Sequence, residues 1–168
     1  MKIIFDACAL FNLVHGEVFE VIVGMLDPPA CLGPQVRSES RSIAGVLDQA
    51  LGASRIELLD DATLPASLFF ALLEKYELGA GETECLAFAS VQPLIICSDD
   101  RRARNMATRE LGEGRVIGTL GLLIRATELS VLTPGAAIAA YELMRRRGGF
   151  LPDVPADRFS PDILRPNS

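Results

Sequence analysis

LIICSDDRRARNMA, residues 94–107, reads as a strand that runs directly into a helix. Leu94 to Cys97 is a short, fully apolar run with β-branched members, as a buried strand requires, and Arg101 to Leu111 follows with helical spacing. Asp99 is placed to cap that helix, with Asp100 as an acid favoured by its dipole. KIIFD, residues 2–6, opens the chain the same way: a strand from Lys2 to Phe5 closes on Asp6, ahead of helical segments Ala7 to Leu13 and Glu17 to Leu26 that part at Gly16 and stop at Pro28-Pro29. Between the two, residues 35–51 carry Val36, Ile43, Val46, Leu47 and Ala50 at roughly helical spacing, and Ile56 to Leu59 reads as the second strand. A helix from about Pro65 to Tyr76 leads to LGAGETE, which opens another from Glu82 to Val91. Val116-Ile117 is a short strand, Thr119 to Leu129 a helix, and Gly135 to Arg147 a last amphipathic helix with Ala136, Ile138, Ala139, Leu143 and Met144 as its apolar stripe. Strands alternating with helices predict an α/β fold, a mainly parallel central sheet flanked by helices in a Rossmann-like three-layer sandwich. It spans residues 1–150, and the proline-rich tail 151–168 is expected to be irregular and packed loosely or not at all.

A length of 168 residues with 49% hydrophobic content suffices for one core and excludes disorder. The net charge of -6 argues against a nucleic-acid partner unless several acids are ligands whose charge a cation offsets. The cations are almost all arginine, with Arg101, Arg102, Arg104 and Arg109 following the Asp doublet and Arg145 to Arg147 closing the last helix. Arginine suits bidentate phosphate contacts. Cys8, Cys31, Cys85 and Cys97 lack C-x-x-C spacing and read as reduced core residues, and with His15 as the single histidine no zinc site of Cys/His type is expected. The first residues are too few and too acidic for a signal peptide, and no apolar stretch approaches the roughly 20 residues of a membrane span. A cytoplasmic protein is the expectation.

The chemistry of the chain rests on its carboxylates. Asp6 and Asp99-Asp100 stand at strand ends, where ligands gather in open α/β sheets, and Glu39 with the pair Glu82/Glu84 completes the set. Hard cations take oxygen ligands, so the joint pattern points to Mg²⁺ or Mn²⁺ and to hydrolysis of a phosphodiester. Each acid also has a plain reading: Asp6 as a turn residue, Asp99 as a cap, Glu82 and Glu84 as complements to a helix dipole, Glu39 as an exposed side chain. Arg101 and Arg104 share a helix face and fit substrate phosphates, or a solvated face with Arg104 paired internally. Thr119 reads as a helix cap.

In KIIFDACAL, GPQVRSE, GAGETECLAFA, LIICSDDRRARNMA and VIGTLGLLIRA the chain resembles the PIN-domain family, which includes the VapC-type toxin ribonucleases. The resemblance covers about residues 1–130, and its most specific part is G-x-G-E-x-E, D-D-x-x-A-R and G-T-x-G-[LV]-L in this order. It implies an endoribonuclease dependent on Mg²⁺ or Mn²⁺, with Asp6, Glu39, Glu82 and Asp100 as the catalytic acids. Glu82 is selected over Glu84 by its distance to Ala87 and Ala89, and Asp99 and Glu84 stand as alternative second ligands. Ser98 supplies a hydroxyl where the family has Ser or Thr, and with Arg101 and Arg104 it is implied to meet the substrate. A homodimer, an antitoxin-like protein partner and no membrane association are implied as well. Cys8 departs from the Ser, Thr or Asn that relatives carry two residues after the first Asp, and a Glu as third acid is longer than the usual Asp. The alternative is a non-catalytic PIN-like module that binds RNA or protein.

Overall fold

Five short parallel strands in the order β3-β2-β1-β4-β5 form the centre of the computed structural model, which describes residues 1–149, 151–154 and 156–159. They are β1 (Lys2–Phe5), β2 (Ala30–Leu32), β3 (Ile56–Leu58), β4 (Leu94–Cys97) and β5 (Val116–Ile117). The three-layer α/β fold read from the sequence is the fold found. From β1 the chain moves outward through β2 to β3, then returns across the sheet to β4 on the other flank of β1. The order of connection therefore reverses between β1 and β4, and such a switch point opens a crevice at the carboxyl ends of its strands. Register places the acids there: Phe5 pairs with Cys97, and the Asp6 N–H donates to the Cys97 carbonyl at 3.0 Å. Asp6 and Ser98 are the next residues out of the sheet.

Helices α1 (Ala7–His15), α2 (Phe19–Gly24), α8 (Thr119–Glu128) and α9 (Pro134–Arg146) pack among themselves, and α3 (Pro34–Glu39), α5 (Ala66–Tyr76) and α7 (Arg101–Leu111) gather around α6 (Ala80–Val91). The short α4 (Ala44–Gly52) packs on β3. Helix α6 is buried from Thr83 to Ala89 because α5 covers the side turned from the sheet, and the Cys85 thiol donates to the Phe5 carbonyl at 3.4 Å. This contact fixes the start of α6 over the end of β1.

The structure corrects several local expectations. Strand β2 was not anticipated, since Ala-Cys-Leu offers no β-branched run, yet all three residues are buried as an inner strand. Residues 35–51 do not form one helical stretch: α3 ends at Ser40, a short 3-10 turn covers Arg41–Ile43, and α4 restarts at Ala44. The buried stripe of α9 is Ala137, Ala140, Tyr141 and Met144, of which only Met144 was expected; Ala136 and Ala139 face solvent. The first part of the tail is packed: the Tyr141 hydroxyl donates to the Pro152 carbonyl at 2.5 Å, and Phe159 is buried against the Tyr141 ring. Residues 160–168 lie outside the described residues. No helix among the described residues is long and apolar enough to cross a membrane.

Candidate active site

Every acid expected at the site stands at or beside a helix N-terminus. Asp6 caps α1, its Oδ1 accepting the Ala9 N–H at 2.8 Å, and Asp100 caps α7, accepting the Ala103 N–H at 2.7 Å. Glu82, in the first turn of α6, turns back to accept the Gly79 N–H at 3.0 Å. Glu39, at the last residue of α3, accepts the Gly81 N–H at 3.0 Å. Orphan N–H groups and the positive end of the helix dipole favour carboxylates at such positions, which lets like charges gather without a counter-ion.

Asp6, Glu39 and Glu82 line one pocket of about 320 Å³, closed on one side by Cys8 and Phe11. Asp6 is almost wholly buried and its carboxyl is pushed up to about 6, first by loss of solvent and further by the charge of Asp99. The Glu82 carboxyl is raised by burial and then by Asp100 and Glu39, so these three acids sense one another. The Cys8 thiol lies 3.1 Å from both Asp6 oxygens and donates toward them, and its own pKa is driven up by burial and by Asp6. Cys8 is thus a wall of the acid pocket, not the plain core residue expected.

A family model described as a PIN domain matches residues 2–158. The chain belongs to the PIN-domain family. No curated protein and no solved structure matches it. PIN domains are generally nucleases, and the match runs well past the stretch in which the resemblance was read.

In this PIN domain Asp100, and not Asp99 as expected, caps the helix that follows the doublet. Asp100 is the cap of α7, whereas Asp99 points across the sheet edge, where it accepts the Asn12 amide at 2.7 Å, the Thr119 N–H at 2.8 Å and the Thr119 hydroxyl. The reason lies in the ladder: Ser98 makes the last contact to β5, its N–H donating to the Ile117 carbonyl at 3.0 Å, so Asp99 leaves the sheet facing Thr119. Thr119 accordingly anchors Asp99, and Gly118 occupies the cap position assigned to it. Ser98 is buried, and its hydroxyl accepts the Asp100 N–H at 3.2 Å. Asn12 carried no signal in the sequence.

The two glutamates of GAGETE are separated just as sharply. Glu84 is buried away from the acid pocket and accepts the N–H groups of Gln35 at 3.0 Å and Val36 at 3.2 Å, the first turn of α3. Gly33 precedes that turn without a side chain, since a Cβ there would come within 2.1 Å of Glu84 Oε2. Helices α3 and α6 thus cap each other, α6 lending Glu84 and α3 lending Glu39, and a Cβ on Gly81 would press Glu39 Oε2 at 2.5 Å. Glu84→Ala leaves two N–H groups unpaired in a largely buried turn, at a cost of about 1–3 kcal/mol. The expected result is a lowered melting temperature, with most of it restored in Glu84→Gln, which keeps an acceptor.

Of the arginines on α7, Arg102 turns away and donates to the Tyr76 carbonyl at 2.9 Å. Arg101 and Arg104 border a pocket with Asp99 and make no ion pair among the described residues, so Arg104 is not paired internally. Arg147 is spent on the fold, donating to the His15 carbonyl and to Glu17, each at 2.9 Å.

The acids of the pocket offer carboxylate oxygens, which fit Mg²⁺ or Mn²⁺, and burial beside Asp6 keeps the neighbouring Cys8 thiol from the thiolate form a soft metal would take. As the side chains stand, each turned to its own backbone N–H, no three Asp, Glu, His or Cys among the described residues are close enough to hold a metal ion. Holding one requires the carboxylates to rotate inward from their helix ends.

Proposed function

We propose that this PIN domain is a divalent-metal-dependent endoribonuclease, with Asp6, Glu39, Glu82 and Asp100 as the acids that hold Mg²⁺ or Mn²⁺. The observation that carries the reading is the meeting of Asp6, Glu39 and Glu82 in one pocket at the switch point of the sheet, with Asp100 close enough to raise Glu82. A bound ion would lower the pKa of a water and neutralise charge on the phosphodiester. The chain's own residues do the rest. Asp6, held by Ala9 and flanked by the Cys8 thiol, is the most deeply buried of the three pocket acids, and Glu39 and Glu82 line the pocket from two other helices. Asp99, with its oxygens taken by Asn12 and Thr119, ties the end of β4 to α1 and to the start of α8 and so positions Asp100. Arg101 and Arg104 supply free positive charge for substrate phosphates beside the acids, which answers the overall negative charge of the chain.

The family resemblance extends this reading to a homodimer and to a toxin whose antitoxin-like partner brings a basic segment opposite in charge to the acid pocket. A second reading, a PIN-like module that binds RNA or protein without cutting, is favoured by the engagement of every pocket acid with a backbone N–H. Incubation of a mixed RNA pool with the purified protein separates the two. Cleavage in Mn²⁺ or Mg²⁺ that EDTA abolishes is the expected result; an intact pool under all conditions, from protein that still binds RNA, supports the second reading.

A further inference from the structure

Beside the acid pocket lies a larger cavity of about 600 Å³, well inside the roughly 300–1,000 Å³ of small-molecule sites. Cys8 and Phe11 line both, so the two are compartments of one groove, and Asp99 with Arg101 carries the groove on toward Arg104. The larger compartment is lined by carboxylates too, Asp99 and Asp100, and adds what the acid pocket lacks: the His15 ring, its centroid 6.2 Å from that of Phe11, the amide of Asn12 and the guanidinium of Arg101. Asn12 is fixed by its bond to Asp99, and Arg147 by its bonds to His15 and Glu17, so these walls are already in place. Gly149 also lines the compartment, and its lack of a side chain makes room for Asn12, since a Cβ there would lie 2.4 Å from Asn12 Oδ1.

We propose that this compartment seats one nucleotide of a single-stranded RNA, the neighbour of the bond placed over the acid pocket. The base stacks on Phe11 with His15 behind it, and the phosphate meets Arg101. The inference rests on the nuclease reading, from which it takes the polarity of the groove. Aromatic faces and unpaired arginine are the elements by which proteins hold unpaired strands, and carboxylates alone would repel them.

The test uses the full chain carrying Asp6→Asn, so that binding is measured without cleavage, and a 3′-labelled RNA hexamer of random sequence followed by fluorescence anisotropy. Phe11→Ala and Arg101→Ala are each expected to weaken binding about tenfold, while Phe11→Tyr stays within about twofold. Arg101 is exposed, so its variant carries the test even if the loss of Phe11 perturbs folding, which melting curves report. Undiminished affinity in folded Phe11→Ala and Arg101→Ala overturns the proposal. Failure of the two readings is distinguishable. An RNA pool left uncut while hexamer binding depends on Phe11 and Arg101 removes catalysis and keeps the subsite; cleavage together with indifferent binding removes the subsite only.

Discussion

Asp6→Asn is expected to reduce RNA cleavage by more than about a hundredfold, beyond the roughly 10–100-fold cost of losing a residue that merely supports a metal ligand. The same substitution is expected to make the metal-free protein more stable at neutral pH. The Asp6 carboxyl is pushed from its ordinary 3.8 up to about 6 by burial and by Asp99, so the folded chain holds that proton more tightly than the unfolded chain does. Between pH of about 4 and about 6 the folded state therefore binds more protons, and stability falls as pH rises through that window. Above it the ionised Asp6 costs about 3 kcal/mol, from a shift of about two units at 1.36 kcal/mol each. Asparagine keeps the acceptor for the Ala9 N–H and carries no charge, so in EDTA at pH 7.5 the variant should melt roughly 5–10 °C above the wild type. At pH 4 the gap should close. Equal melting temperatures at both pH values would show that the buried charge imposes no strain, and with it the main electrostatic reason for a cation at this place would go.

The second large effect is stabilisation by Mn²⁺. The Glu82 carboxyl is raised first by burial and then by the charges of Asp100 and Glu39, and a cation that binds only the folded arrangement relieves both and stabilises it by mass action. At a hundredfold excess over its dissociation constant the gain is about 2.7 kcal/mol. In a domain of this size that corresponds to roughly 5–10 °C in melting temperature. EDTA should reverse it, and the gain should be larger at pH 7.5 than at pH 5, where Asp6 is mostly protonated and a metal must compete with a proton.

The sequence disclosed the sheet where burial demands a recognisable pattern. Strands β1 and β4 are apolar runs that end on acids, and their parallel pairing puts Asp6 beside Ser98 and Asp99. Strand β2 escaped notice because three residues between Pro29 and Gly33 are too few to show any period, and only their neighbours on both sides make them a strand. The break after Glu39 was equally silent, since the apolar spacing of Val36, Ile43 and Leu47 continues through it; the break is set by the contact of Glu39 with the start of α6. At the site, acids at strand ends and helix starts stood out as a group. Their individual parts did not, because these depend on contacts far along the chain. Asp99 and Asp100 divide their roles according to where β5 ends, and Glu82 and Glu84 according to which face of α6 meets α3. Residues two apart on a helix point to different sides, and the packing of α3 decides that Glu82 reaches the pocket while Glu84 does not.

The most direct test of a single shared cation site is the Mn²⁺-dependent rise in melting temperature measured in Asp6→Asn, Glu39→Gln, Glu82→Gln and Asp100→Asn beside Glu84→Gln. Each of the first four is expected to lose most of the rise, and Glu84→Gln to keep it. A rise that survives in all four, or one that depends on Glu84 and not on Glu82, would contradict the assignment of these acids to one metal site.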